Sequence, residues 1–176
     1  MKTLLLSNIN MQPLVSLLKP AEVVCGAYNS ILMDLVDPNS PAASDEFDRV
    51  FCLFDTDALL GDVAYGEEGP DQCETLIAAL GQFCNRHPGK IVIAHTFCVS
   101  TSRWLSFADL AHPQSLRSRE TALNERLVAL ARETTNLLLI DLEAIVRRHG
   151  EAALMSSTFW YAGRIRYTKQ MFRILA

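Results

Sequence analysis

Four short runs, Thr3–Leu6, Val50–Phe54, Ile91–Ala94 and Leu137–Ile140, are apolar almost throughout and do not alternate with polar residues. A strand with one face in water alternates, whereas a strand covered on both faces reads as a continuous apolar run. Helical patterns separate the four runs. Strands alternating with helices imply right-handed crossovers and a three-layer α/β/α sandwich around a mostly parallel sheet, in a flavodoxin-like arrangement. Val23–Cys25 is a weaker fifth strand.

The helical segments follow from apolar spacing and from their ends. Met11–Leu18 places Leu14, Leu17 and Leu18 on one face, and Ser30–Leu35 is a short candidate. Asp71–Asn85 carries Leu76, Ile77, Leu80 and Phe83 and runs into Pro88-Gly89, a pair that stops helices. Ser118–Glu133 carries Leu123, Leu127 and Leu130, and Leu142–His149 ends at Gly150. Asp141 is placed to cap the latter helix, and Thr168 to cap a final one from Lys169. Asp37–Ser44 and Ala94–Arg117 read as surface loops, the second with no clear helix before Phe107 and long enough to shape a site. Trp160 and Tyr161 read as core anchors, with part of a pocket wall as the alternative.

The 176 residues suit a single domain, 1–176. A net charge of −4 leaves no basic footprint, so nucleic acid is not an expected partner. No apolar run approaches the ~20 residues of a membrane-spanning helix, and the N-terminus lacks the cleavage pattern of a signal peptide. The expected location is cytoplasmic. Five cysteines form no C-x-x-C pair and share no ligand spacing with the four histidines, so buried thiols are expected, and neither a metal nor a cofactor.

Each apolar run hands over to polar residues: Ser7, Asn8 and Asn10; Asp55, Thr56 and Asp57; His95 and Thr96; Asp141 and Glu143. A parallel sheet brings all four groups to one edge, where open α/β sheets bind ligands. Ser7 is a candidate nucleophile with His95 as its base. Both also have structural readings, Ser7 as a cap and His95 as a satisfied buried residue.

Several pieces, in order, resemble the N-terminal domain of FkbH-like proteins, which carries an SGNH-hydrolase-like (GDSL-type) fold. They are LLLSNINMQPL at 4–14, VFCLFDTDALL at 50–60, AHP at 111–113, LNERLVALA at 123–131, LLLIDLEAIVRRHG at 137–150 and FWYAGRIRYT at 159–168. The resemblance implies that the chain is the first domain of a longer protein, or a stand-alone relative. Its neighbour would be a haloacid-dehalogenase-like domain. It also implies a part in loading a glyceryl or acyl unit onto an acyl carrier protein, and room for a homodimer.

The family's working residues are a Gly-Asp-Ser nucleophile motif, an oxyanion-hole Gly-x-Asn-Asp and a C-terminal Asp-x-x-His. In one register Ser7-Asn8-Ile9 lies against Gly-Asp-Ser, which puts Ile9 at the nucleophile; in another, Ser7 is itself the nucleophile. The first fits the strand length better. Asp57 of Asp55-Thr56-Asp57-Ala58 falls on the oxyanion-hole Asn, and an ionised carboxylate cannot donate to an oxyanion. Gly163-Arg164-Ile165-Arg166 falls on the base motif, and arginine cannot take a proton from serine. The resemblance therefore implies weak or absent esterase activity and a charged cleft. Asn8, Asn10, Asp55, Asp57, Arg164 and Arg166 are its candidate ligand-binding residues, with an Arg–Asp ion pair as the alternative for Arg164 and Arg166.

Overall fold

The computed structural model describes residues 2–18, 22–61, 72–103, 112 and 115–176. Five strands form one sheet: β1 (Lys2–Ser7), β2 (Glu22–Tyr28), β3 (Arg49–Leu53), β4 (Ile91–His95) and β5 (Leu137–Ile140). Their order is β2-β1-β3-β4-β5, and every pair is parallel. The four strong apolar runs and the weaker fifth are the five strands. All five deliver their C-terminal ends to one edge, as the sequence pattern requires.

Alternate residues of the strands feed two cores. Leu4, Leu6, Val50, Cys52, Val92 and Ala94 pack on one face with α2 (Ile31–Val36), α4 (Gln72–Arg86) and α5 (Leu116–Glu133). Leu5, Phe51 and Leu53 pack on the other with α1 (Gln12–Leu17), α6 (Leu142–His149) and α9 (Lys169–Leu175). Both faces are covered, which is why the strands do not alternate.

The caps read from the sequence are formed. Asp141 accepts from Ala144 N–H at 2.9 Å and Thr168 Oγ1 from Met171 N–H at 3.4 Å. Gly150 closes α6 at φ +83°. Three short helices carry no sequence signal: α3 (Thr56–Leu60), α7 (Glu151–Leu154) and α8 (Ser157–Gly163). The loop expected over Ala94–Arg117 is shorter at both ends. Ala94 and His95 belong to β4, Leu116 and Arg117 to α5, and a 3-10 turn covers Thr101–Arg103. Phe107, the 111 and 113 positions of the AHP segment, and Asp71 lie outside the described residues. Among the described residues no helix is long and apolar enough to cross a membrane.

Tyr161 corrects the expectation of a core anchor: it is 85 % exposed on α8, a helix with no buried residue. Trp160, its neighbour, packs half-buried against the second core.

Candidate functional site

β1 ends at Ser7, so Asn8, Ile9 and Asn10 form the loop into α1. Ser7 Oγ accepts from the Ile9 N–H at 3.1 Å, and the Ile9 side chain is buried. Asn8 bridges to the end of β3. Its Oδ1 accepts from Asp55 N–H at 2.8 Å and its Nδ2 donates to Asp55 O at 3.1 Å. A single buried amide thus fixes two strand ends against each other.

Asp55 caps α3 by accepting from Ala58 N–H at 3.0 Å. Its Oδ2 lies 3.1 Å from Arg166 Nε, an ionic contact off the hydrogen-bonding axis. Asp57 accepts from Arg166 Nη2 at 2.7 Å and from Ser100 N–H at 3.2 Å. Arg103 adds a second cation, 3.8 Å from Asp57 Oδ1, and donates to the carbonyls of Asp57 and Gly61. Burial pushes both carboxyls above their ordinary range, and the Arg166 guanidinium only partly offsets it. For Asp57 the neighbouring Asp55 charge adds to the rise.

His95 takes its structural reading, a satisfied buried residue, and not that of a base for Ser7. Its Nε2 accepts from Phe54 N–H at 3.0 Å, which places the ring proton on Nδ1, where it is donated to Thr96 O at 2.8 Å. Both nitrogens are therefore occupied by backbone. The ring stacks on Phe54 with centroids 4.0 Å apart and is fully buried, which pushes its pKa down to about 4. Strand β3 also lies between β1 and β4. Two strand spacings separate the Ser7 and His95 backbones by about 10 Å.

The candidate set thus divides. Asn8, Asp55, Asp57, Arg166 and His95 bond to one another or to backbone. For Arg166 the ion-pair alternative holds. Ser7, Asn10 and Arg164 line a cleft of about 480 Å³ between the β1–α1 loop, the end of β2 and the turn after α8, although Ser7 and Asn10 also bond to backbone. Asn10 N–H donates to Arg164 O at 2.8 Å, and its Nδ2 to Gly163 O at 3.4 Å. Arg164 has no carboxylate partner among the described residues, so the ion-pair alternative fails for it; its guanidinium sits 5.0 Å from the Trp160 ring centroid.

Further residues enter the rim without any sequence signal. Glu120 on α5 accepts from Val99 N–H at 2.6 Å, and burial pushes its pKa up to about 7. Glu151 accepts from Ser100 Oγ at 2.5 Å and from Thr101 N–H at 2.9 Å. These carboxylates raise the half-buried Cys98 thiol, already raised chiefly by burial, to about 12, which makes it a poor nucleophile. Among the described residues no group of three or more His, Cys, Asp or Glu is placed to hold a metal ion.

No protein-family model and no curated protein matches the chain. Solved structures do. The N-terminal part of BF1531 from Bacteroides fragilis, which contains a phosphatase domain complexed with Mg, superposes at a TM-score of 0.79 with 19% identity. The match covers 99% of this chain and 49% of that one, so this chain spans about half its length. A lipase/acylhydrolase from Enterococcus faecalis matches at a TM-score of 0.65 and 14% identity, over 99% of this chain and 91% of that one. A protein of Desulfitobacterium hafniense described as lipolytic and of the G-D-S-L family matches at 0.54 and 12%, over 99% and 94%. At these identities the likeness is one of fold alone: a parallel five-stranded α/β sandwich.

Proposed function

We propose that this domain is a degenerate SGNH-hydrolase-like module that binds at its strand-end rim and does not hydrolyse. It would serve beside a haloacid-dehalogenase-like domain in loading a glyceryl or acyl unit onto an acyl carrier protein. The observation that carries the reading is the state of the catalytic positions. Arg166, at the position of the family's base, is bound to Asp55 and Asp57, and the one strand-end imidazole, His95, has both nitrogens committed to backbone. A nucleophilic hydroxyl needs a base within hydrogen-bond reach, ~2.6–3.2 Å. Loss of triad members removes most of the rate and can leave binding in place.

The likeness to a chain twice as long that contains a phosphatase domain supports the domain context. One feature favours the alternative of a serine esterase or acyltransferase: Ser7 lines the cleft. Calorimetric titration of an acyl carrier protein loaded with a glyceryl thioester separates the two. Binding with the thioester intact after prolonged incubation is expected. Thioester cleavage that disappears in Ser7→Ala overturns the reading.

A further inference from the structure

Arg164 occupies a position where the backbone favours glycine. It ends α8 at φ +55° and ψ +33°, in the left-handed region, with its N–H returned to the carbonyls of Phe159 and Trp160. Glycine is the usual residue there because a Cβ is penalised. The chain does have a glycine, one residue earlier. Gly163 has no positive φ, and a Cβ on it would meet only Ile165 side-chain atoms at an ordinary 3.6 Å. The residue that needs no glycine has one, and the residue that favours glycine is an arginine. Strain of this kind at a cleft points to function.

The turn that carries this backbone also carries a cation. The turn is anchored through Asn10, and the Trp160 ring supports the guanidinium at 5.0 Å. Arg103, Arg126, Arg147 and Arg166 all contact carboxylates, whereas Arg164 contacts none among the described residues. Among the described residues it is also the only charged one lining the cleft of about 480 Å³, where Ser7, Asn10, Gln12 and Tyr28 supply polar groups beside it. That volume falls in the range of small-molecule sites. A guanidinium binds planar carboxylate and phosphate oxygens in pairs.

We propose that this cleft binds a small oxyanion, a phosphate ester or the carboxylate of a short-chain acid, with Arg164 as its cation. The proposal rests on the reading of the rim as a binding site and names the class of its ligand. The test uses the full chain carrying Trp104→Phe, so that Trp160 is the reporting tryptophan. Inorganic phosphate and glycerate are titrated separately at constant ionic strength in chloride, and Trp160 fluorescence is followed. A saturable change with at least one of them is expected, and the tighter ligand identifies the source. Arg164→Gly is expected to weaken binding about tenfold or more, while keeping a cooperative unfolding transition, because glycine accepts the left-handed backbone. Arg164→Gln reports the loss of charge with the side-chain length kept. No saturation with either anion, or equal affinity in Arg164→Gly, overturns the proposal. Failure here leaves the non-hydrolysing reading standing, whereas thioester cleavage dependent on Ser7 removes that reading and leaves the anion site.

Discussion

Replacing Arg166 with methionine removes the cation that holds two buried carboxylates. The side chains are 13 % exposed for Arg166, 4 % for Asp55 and 16 % for Asp57, so little solvent screens them. At the observed 3.1 and 2.7 Å, an effective dielectric of ~20 gives gross attractions of about 5 and about 6 kcal/mol. Much of this is offset by the cost of taking the guanidinium out of water. The net loss on breaking such a network is about 3–5 kcal/mol, because Asp55 is left buried with no cation in contact and Asp57 keeps only Arg103, 3.8 Å away. That is a large share of the stability of an ordinary domain.

The loss has a pH signature. Both carboxyls already titrate above 3.8 in the folded protein, chiefly through burial. A carboxyl raised by folding contributes most to stability below its unfolded pKa and loses that contribution as pH rises through its folded pKa. Without Arg166 the folded values rise further, so the variant loses more, and over a window reaching higher pH. Urea unfolding followed by circular dichroism is expected to show the full deficit near pH 7.5 and a smaller one near pH 4.5. The triple variant Asp55→Asn, Asp57→Asn, Arg166→Met is expected to recover at least half of it, since asparagine still caps a helix and no charge remains buried. A deficit below about 1 kcal/mol, or an equal deficit at both pH values, refutes the reasoning.

Asn8→Ala deletes both bonds to the Asp55 backbone and is expected to cost about 2–3 kcal/mol in the same urea assay, since a buried N–H and C=O lose their partners. A cost within experimental error would show that the amide does not tie β1 to β3. His95 titrates at about 4 against 6.5 when unfolded. The folded state therefore binds fewer protons than the unfolded state between these values, and stability falls by about 3 kcal/mol as pH drops through that window. His95→Gln is expected to flatten this part of the pH–stability curve, and an unchanged slope would contradict the buried neutral ring.

The strands were readable because each had to be apolar on both faces to lie between two helical layers. The longer helices were readable because one stripe had to meet the sheet, and Asp141, Gly150 and Thr168 mark ends by local chemistry alone. α8 left no such trace. None of its residues is buried, so Phe159 and Tyr161 carry no core-facing period, and Tyr161 looked like an anchor while standing in solvent. α3 follows a cap, Asp55, whose side chain serves both the helix and Arg166.

The rim itself was half readable. Parallel strands place Ser7, Asp55 and His95 along one edge, but partner choice within that edge depends on contacts far apart in the chain. Asp57 and Arg166 are 109 positions apart, and Phe54 and His95 are 41 apart. The strained backbone of Arg164 depends on its place at the end of a helix that had no sequence signal.

On the proposed function, no hydroxyl at the rim is activated for acyl transfer. Pre-steady-state reaction with an activated p-nitrophenyl ester, followed by intact-protein mass spectrometry, tests it at the step where a hydrolase must commit a covalent bond. No burst and an unchanged mass are expected. A stoichiometric burst with the acyl group mapped to Ser7 would contradict the account.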